Sequence, residues 1–400
     1  MNYFFVPGRM SQLCEAEIDC LVKTFSPEQT FKSDEIIHYV GVTELPIASL
    51  VERSGGIYKA GLFDKTIDRT MDKSIIIGEI FELIIKKVSG QTKISFGVSI
   101  YGDKSFAKQF DSSDLRLLKK KLAERGIGSA FIESDHSDLS SVQVKKQGLL
   151  TVKGIEVVLS FDAKSLSIGY TLAVQDFDVW SKVDYDRPCV DPKSGMLPPK
   201  VARMMLNLGL TSYLADGNVT VMDPFCGSGT ILLEALRMGT YVVGSDNSPK
   251  AVADSKQNIE WLLKQPFYNG VVKSPEEVSV HLSEASHIDQ ILKQKTIEVI
   301  VTEPYLGPNF TSKPTPGKLE RIIKGLEKMY IGSLKSCALV QKSNSVLVFA
   351  EPQYFMPTKT YRVGIIDNCE RFGYTLASKI LEYNREKAFV GRRIAILIKK

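Results

Sequence analysis

Asp223-Pro-Phe-Cys-Gly-Ser-Gly-Thr230 decides the fold, because it joins the apolar run Val219–Met222 to the amphipathic segment Ile231–Met238. A strand, an acidic residue, a glycine-rich turn and a helix, in this order, are typical of an α/β fold that binds a small molecule at the carboxyl edge of its sheet. Gly227 and Gly229 let a ligand approach the backbone, since glycine has no Cβ. The helix N-terminus adds free amide groups. The alternative is a structural turn with incidental glycines.

The turn lacks the marks of two common nucleotide-binding motifs. No Gly-Lys-Ser/Thr follows it, which excludes a triphosphate P-loop. Leu232 stands where the dinucleotide fingerprint requires its third glycine. The turn therefore predicts a ligand of another class.

The composition is that of an ordinary soluble protein, with 44% hydrophobic and 24% charged residues. A length of 400 residues predicts two or three domains. The net charge of +5 permits nucleic-acid binding without indicating it. No apolar run is long enough to span a membrane, and the N-terminus lacks a secretory basic region, so we expect a cytoplasmic protein. The six cysteines and four histidines show no ligand spacing, which predicts neither disulfides nor a metal site.

Periodicity predicts two differently organised parts. Short strands and helices alternate over residues 1 to about 75 and predict a small α+β domain. A helix over Thr66–Val88, a strand over Lys93–Tyr101, a helix over Ser112–Glu124 and a hairpin over 150–175 follow. Four prolines between residues 184 and 199 predict an extended connector.

Beyond the connector, strands and helices alternate regularly, which predicts a doubly wound parallel sheet. The predicted strands lie at about 219–223, 241–246, 279–283, 297–302 and 345–350. The predicted helices lie at about 229–238, 249–263, 286–293, 318–338 and 358–372. Two strands, at 374–383 and 393–398, are predicted to form a terminal antiparallel pair.

Two further carboxylates follow strands of this sheet. Asp246 ends the strand Tyr241–Asp246, 23 positions after Asp223, where an acid can accept hydrogen bonds from ribose hydroxyls. Asp246 could instead support the next helix, which Asn247-Ser-Pro249 caps. Glu284 follows the third strand, where an adenine amino group would need an acceptor, although a single carboxylate after a strand is common.

Thr302-Glu-Pro-Tyr305 ends the fourth strand. This segment and the glycine-rich turn resemble the catalytic motif and motif I of S-adenosylmethionine-dependent methyltransferases that act on nucleobase amino groups. Their catalytic motif reads Asp or Asn, Pro, Pro, aromatic. The resemblance implies that the acid or amide orients the substrate amino group, that the aromatic ring stacks on an extruded base, and that catalysis is mainly positioning.

The segment departs from this pattern. In one register Glu303 replaces Asp or Asn, Pro304 matches, Tyr305 replaces the second proline and Leu306 takes the aromatic position. Shifted by one, Thr302 and Glu303 are the replacements, while Pro304 and Tyr305 match. We prefer the first register because it keeps an acidic acceptor. The alternative is that the segment is only a loop and the enzyme is inactive.

The boundary region carries the most specific resemblance. Gln175-Asp-Phe-Asp-Val-Trp-Ser181, Asp186-Arg-Pro188 and Lys193-Ser-Gly-Met-Leu-Pro-Pro-Lys-Val-Ala202 resemble the THUMP-domain RNA methyltransferases. The nearest type within them makes N2-methylguanosine at position ten of tRNA. The resemblance implies a ferredoxin-like α+β domain (1–75), a THUMP domain that grips the tRNA acceptor end (76–175) and a linker (176–199). The resemblance also implies a Rossmann-like methyltransferase domain with a mostly parallel seven-stranded sheet (200–400).

The resemblance implies S-adenosyl-L-methionine as the cofactor, and no metal. The residues implied to bind it are Asp223, Pro224, Phe225, Cys226, Gly227, Gly229, Thr230, Asp246, Asn247, Glu284, Ala285, Met196 and Pro198. Thr302, Glu303, Pro304 and Tyr305 are implied to hold the target base. The segment Gly195–Pro198 either packs beside the methionine end of the cofactor or braces the two domains.

A basic cluster is the candidate RNA surface. Its members are Arg116, Lys119, Lys120, Lys121, Lys145 and Lys146, which could neutralise phosphates or simply form solvated helix faces. The predicted function is methyl transfer to N2 of a guanine in tRNA, with tRNA as partner and a small activating subunit left open. The alternatives are an rRNA guanine or other nucleobase amino-methyltransferase, or an inactive tRNA-binding relative.

Overall fold

A computed structural model describes residues 1–8, 11–26, 30–32, 35–41, 44–134, 136–190, 196–213, 218–310, 312–384 and 388–400. The chain divides into two compact units, Met1–Ser11 with Leu21–Phe177, and Gln12–Cys20 with Asp178–Lys400. The Lys193-Ser-Gly195 part of the boundary motif, including the predicted cofactor contact at Gly195, lies outside the described residues.

The first unit is built on one mixed sheet. Its strands are β1 (Asn2–Pro7), β2 (Thr30–Lys32), β3 (Ile37–Tyr39), β4 (Ile57–Asp68), β5 (Lys93–Tyr101), β6 (Gly128–Phe131), β7 (Gly154–Phe161) and β8 (Ser165–Val174). They lie in the order β2-β3-β1-β4-β8-β7-β5-β6. Strand β5 runs parallel to β6 and β7, and the other pairs are antiparallel.

The helices of the N-terminal part of the chain are α1 (Ser11–Lys23), α2 (Ile47–Arg53), α3 (Lys73–Lys87), α4 (Lys104–Gln109), α5 (Ser112–Glu124) and α6 (Ser141–Lys146). Most of α1, Gln12–Cys20, belongs to the second unit. Helix α3 places Ile76, Ile80 and Ile84 at helical spacing on the core formed with β5, β7 and α5.

The sequence interpretation is wrong about where α3 begins. Strand β4 continues through Thr66 and Ile67 to Asp68, which pairs with Ser165 of β8, because β-branched residues favour a paired strand. The helix begins only at Lys73. The predicted boundary between residues 75 and 76 thus falls inside α3, which connects strands of this one sheet. The division into ferredoxin-like and THUMP domains stays a prediction.

Helices and strands alternate in the second unit from residue 178 onward, and the first of these helices begins one residue earlier. Its helices are α7 (Phe177–Tyr185), α8 (Pro199–Leu210), α9 (Thr230–Arg237), α10 (Pro249–Leu263), α11 (Ile288–Ile291) and α12 (Pro316–Val340). Its strands are β9 (Thr220–Asp223), β10 (Tyr241–Asp246), β11 (Ser279–Leu282), β12 (Ile297–Thr302), β13 (Gln341–Phe355), β14 (Thr360–Arg362), β15 (Tyr374–Leu376), β16 (Leu381–Tyr383) and β17 (Val390–Lys399). Among the helices of the described residues, none is both long and apolar enough to cross a membrane.

The sheet of this unit confirms the predicted mostly parallel α/β class. Its order is β11-β10-β9-β12-β13-β17-β15, with β14 beside β13 and β16 beside β17. The first five strands are parallel, and β17 runs antiparallel to β13. From β9 the chain moves through β10 to β11 and then returns to the other side of β9 with β12. The carboxyl ends of β9 and β12 therefore adjoin at the point where strand order reverses, the usual ligand site of such sheets.

One other local prediction needs correction. The helix expected over 358–372 is replaced by strand β14 and a short 3-10 helix, Ile366–Phe372. The Glu351 carboxylate accepts the backbone N–H groups of Gly364 and Ile365, which fixes this turn, and Gly364 has a φ of +85° that a helix excludes. Helix α7 occupies the first half of the predicted linker, 176–199, and ends at Tyr185, before the first of the four prolines at residue 188.

Candidate functional site

A cavity of about 840 Å³ opens where β9 and β12 end. Asp223 at the end of β9 and Thr302 at the end of β12 are both buried. The Thr302 hydroxyl donates a hydrogen bond of 2.8 Å to Asp223 Oδ1, and the Phe225 N–H donates to the same oxygen over 3.1 Å. This pair ties the two strands together at the floor of the site. The cavity is large enough for a cofactor-sized ligand and more.

The glycine-rich turn forms one wall of the cavity. Gly227 and Gly229 have φ of +52° and +88°, in the left-handed region that favours glycine. A Cβ on Gly229 would lie 2.8 Å from Ser255 Oγ, whereas a Cβ on Gly227 would meet nothing within 4 Å. The Ser255 hydroxyl donates to the Gly227 carbonyl over 3.0 Å. Helix α10 therefore holds the turn from behind and leaves its Gly227 side open to a ligand.

Asp246 at the end of β10 faces the same cavity. Its Oδ2 accepts the Gly227 N–H over 3.0 Å, and its Oδ1 accepts the Ser248 N–H over 2.9 Å. Ser248 is the N-cap of α10, so Asp246 supports the helix as one of the two interpretations requires. Each carboxylate oxygen keeps further acceptor capacity, which leaves the ribose role open to it as well.

Burial controls the charge state of Asp223. Desolvation raises the pKa of its carboxyl group to about 7, although the hydrogen bonds from Thr302 and Phe225 act in the opposite direction. The neighbouring carboxylates Asp246 and Glu303 add to the increase. Asp223 therefore changes its ionisation near neutral pH.

The segment after β12 is held by two buried tyrosines. The Tyr330 hydroxyl donates to the Tyr305 carbonyl and the Tyr354 hydroxyl to the Leu306 carbonyl, each over 2.7 Å. The Tyr305 side chain lines the cavity and stays 56% exposed. The backbone of this segment is thus fixed, while the phenol ring is free to contact a ligand.

Arg392 on β17 is a site residue that the sequence interpretation missed. Its guanidinium bonds both carboxylate oxygens of Glu303, with Nη2 donating to Oε1 over 3.1 Å and Nε donating to Oε2. Burial lowers the pKa of Arg392, but the Glu303 carboxylate outweighs burial and raises it. No sequence signal separates Arg392 from other charges on a strand, because its partner lies 89 positions away.

The structure brings most of the predicted site residues to this cavity. Those that line it are Met196, Asp223, Phe225, Cys226, Gly227, Thr230, Asp246, Asn247, Glu303, Pro304 and Tyr305. The lining does not include Pro198, Pro224, Gly229, Glu284, Ala285 or Thr302. Of these, Thr302 is hydrogen-bonded to Asp223, and Glu284 has a side chain 64% exposed beside His287. The adenine role of Glu284 stays a prediction.

The cavity lining also includes an aromatic pair that the motifs did not predict. Phe310 and Phe389 line it with ring centroids 5.2 Å apart in an edge-to-face arrangement. Tyr305 lines the same cavity. Aromatic side chains of this kind are the usual surroundings of an extruded base.

The candidate RNA residues lie on two helices of the first unit. On α5, Arg116, Lys119 and Lys120 are exposed, and Lys121 lies 5.6 Å from the Phe81 ring centroid. On α6, Lys145 pairs with Asp176 over 2.9 Å, and Lys146 lies 5.7 Å from the Phe177 ring centroid. The α5 cluster therefore retains more cationic surface for a phosphate backbone than the α6 pair.

Comparison with known proteins identifies the family. The "RMKL-like, methyltransferase domain" family model matches residues 187–368. The tRNA (guanine(10)-N2)-dimethyltransferase of Methanocaldococcus jannaschii is 24% identical over 88% of this chain and 91% of its own length. The "probable tRNA (guanine(10)-N2)-dimethyltransferase" of Methanothermococcus thermolithotrophicus is 33% identical over 32% of this chain and 70% of its own. The chain belongs to the tRNA (guanine(10)-N2)-dimethyltransferase family. The family resemblance of the boundary motifs is thereby confirmed.

Solved structures agree with the fold of this family. TrmN from Thermus thermophilus matches 100% of both chains, with 13% identity and a TM-score of 0.52. The structure of SMU.472 complexed with SAH matches 100% of this chain and 98% of its own, with 10% identity and a TM-score of 0.52. The second unit thus has the Rossmann-like methyltransferase fold that the family is expected to have.

Proposed function

We propose that this protein transfers a methyl group from S-adenosylmethionine to the exocyclic N2 of a guanine in tRNA, at position ten. The observation that carries this proposal is the convergence of four features on one cavity: Asp223, the Gly227 turn, Asp246, and the segment Glu303-Pro-Tyr305. Family membership supports the substrate, since these relatives are named for this reaction.

The residues present fit the cofactor. The Gly227 side of the turn is open, and helix α9 begins beside it with Thr230 and Ile231 on the cavity wall. Thr230 is itself fixed by Arg187, whose Nη1 donates to its hydroxyl over 2.9 Å. Asp246 would accept hydrogen bonds from the ribose hydroxyls. Met196 would pack at the methionine end of the cofactor, beside Ser228, and the Ser228 hydroxyl lies 3.4 Å from the Met196 sulfur.

The reaction needs few protein groups. The cofactor supplies an electrophilic methyl on a sulfonium, and transfer converts this sulfonium into a neutral thioether. The N2 lone pair forms the new bond to carbon, and one N2 proton then leaves to water. Glu303 would accept an N–H from the amino group, and Tyr305 would stack on the base, so that nitrogen and methyl are held in line. The carboxylates and aromatic rings of the cavity therefore act by positioning.

The first unit would supply tRNA binding. The exposed α5 residues Arg116, Lys119 and Lys120 can neutralise phosphates. The acceptor end of tRNA is the proposed partner, as in THUMP-domain methyltransferases. A small activating subunit is a further candidate partner.

Cofactor affinity is expected to depend on pH through Asp223. Its pKa of about 7 means that the carboxyl is mostly protonated at pH 6 and mostly ionised at pH 8. An ionised carboxylate favours the cationic sulfonium over the neutral thioether by about 1 kcal/mol, or about 5-fold. Calorimetry should show the affinity ratio of S-adenosylmethionine to S-adenosylhomocysteine rising about 3-fold from pH 6 to 8, because the carboxyl goes from about one-tenth to about nine-tenths ionised. An unchanged ratio, or the same rise in Asp223→Asn, would contradict this assignment.

Replacing Tyr305 by Ala is expected to lower kcat/KM for tRNA about 5- to 100-fold, since stacking of one base on an aromatic ring contributes about 1–3 kcal/mol. Tyr305→Phe is the matched control, because it keeps the ring and should stay within about 2-fold of wild type. Cofactor affinity should not change in either variant. Equal losses in both variants would show that the ring does not stack on the substrate.

The proposal is tested on tRNA transcripts that differ at one nucleotide. Saturable S-adenosylmethionine binding by calorimetry and methyl transfer to an unmodified transcript are expected. Replacing guanine by adenine at position ten should abolish the transfer. Transfer that persists at another guanine would move the assignment to a different position, and transfer to rRNA alone would support the rRNA alternative. Cofactor binding without turnover on any tRNA would support the inactive relative.

A further inference from the structure

The acceptor carboxylate of the site is tied to an arginine from a distant strand. Glu303 stands where the methyltransferase motif has the shorter Asp or Asn, and Arg392 bonds both of its oxygens. The two side chains are 11% and 9% exposed, and both line the cavity. The Arg392 guanidinium carbon also lies 5.4 Å from the Tyr383 ring centroid. The longer acid is therefore held by Arg392, and each of its oxygens keeps one further lone pair that can accept a hydrogen bond.

A carboxylate bonded in this way can pair with the Watson–Crick edge of guanine but not with that of adenine. A carboxylate has about four acceptor positions and no donor, and Arg392 uses two of them. Guanine presents two adjacent donors on its Watson–Crick edge, N1–H and N2–H. Adenine presents a donor at N6 beside the N1 acceptor, which would face a carboxylate lone pair. An Asn or Gln amide offers one donor and one acceptor and would match the adenine type of edge.

We propose that Glu303, positioned by Arg392, selects guanine by accepting N1–H together with one N2–H of the target base. This inference rests on the proposed function and adds the element that distinguishes guanine from other amino-purines. Glu303 is the contact to the base, and Arg392 is a positioning residue. An arginine is required because lysine has no rigid fork that can bond both oxygens of one carboxylate.

The test compares guanine with 2,6-diaminopurine at the methylated position of a synthetic tRNA. Diaminopurine keeps the N2 amino group but replaces N1–H by an acceptor. Wild type is expected to prefer guanine by about 10-fold or more in kcat/KM, the discrimination typical of a bidentate base contact. Glu303→Gln should reduce or invert that preference by about 10-fold, because its amide matches the diaminopurine edge. Cofactor affinity should remain close to wild type, whereas the thermal unfolding midpoint should fall, because the largely buried Arg392 loses its charged partner.

Arg392 is tested by Arg392→Lys, with Arg362→Lys as the control. Arg362 pairs with Glu382 at 3.8 Å and is half exposed. Arg392→Lys should lower kcat on guanine and weaken the preference for guanine over diaminopurine, while Arg362→Lys should change neither.

A Glu303→Gln variant that loses activity equally on both bases would overturn the inference and leave the proposed function intact. Absence of N2 methylation by wild type would instead overturn both.

Discussion

Asp246→Ala is expected to weaken S-adenosylmethionine binding by about 100-fold or more. Hydrogen bonds to a charged acceptor contribute about 1.5–3 kcal/mol each, and loss of two ribose contacts of this kind exceeds 2.8 kcal/mol, which is about 100-fold. The substitution also removes the acceptor for the Gly227 and Ser248 N–H groups. Both effects act at the cavity wall, so calorimetric titration with the cofactor measures them directly.

Two variants control this experiment. Glu260→Ala removes an exposed carboxylate from α10, the helix that follows Asp246, and should bind the cofactor like wild type. Asp246→Asn keeps one acceptor oxygen and should give an intermediate affinity. If Asp246→Ala binds S-adenosylmethionine as wild type does, Asp246 only supports the start of α10 and the ribose assignment is wrong.

The largest stability effect is expected for Glu234→Ala. Glu234 is fully buried on α9 and accepts hydrogen bonds from Arg203 Nε (2.7 Å) and Arg237 Nη1 (2.7 and 2.9 Å). Burial by itself raises the pKa of Glu234, but the two guanidinium groups outweigh burial and lower it. The guanidinium carbons of both arginines also lie within 5.6 Å of the Trp180 ring centroid.

Removing this carboxylate leaves two largely buried arginines without their common partner. Breaking a buried ion pair by deleting one member costs about 3–5 kcal/mol, which corresponds to a decrease of roughly 6–20 °C in the unfolding midpoint of a unit of this size. Glu327→Ala, an exposed position on α12, is the matched control and should shift the midpoint by less than about 2 °C. A Glu234→Ala midpoint equal to that of the control would mean that this network does not stabilise the unit. Calorimetric scanning provides the comparison.

The sequence predicted the parts of the site that follow strands. Asp223 and Asp246 end a strand and Glu303 directly follows one, and parallel strands bring their carboxyl ends to one edge, so these three meet at one cavity. Gly227 was predictable for a similar reason, because a tight turn between strand and helix needs a positive φ. Local pattern and parallel topology together were sufficient for this half of the site.

Arg392 and Trp180 were not predictable in this way. Arg392 reaches Glu303 only because β17 inserts antiparallel beside β13, and nothing local in the sequence specifies that neighbour. Trp180 lies in a segment that resembles the family, but its packing against Arg203 and Arg237 depends on how α7, α8 and α9 meet. The misplaced start of α3 has a related cause, since the pairing of β4 with β8, which continues to Asp68, is not visible in the local sequence.

The central claim is tested most directly by the nucleoside that the protein produces. Purified protein, unmodified tRNA and methyl-labelled S-adenosylmethionine are incubated, and the tRNA is digested and its labelled nucleosides are identified. We expect the label in N2-methylguanosine or its dimethylated form, mapped to position ten. Label in N6-methyladenosine, or no label in tRNA from protein that binds the cofactor, would contradict the assignment.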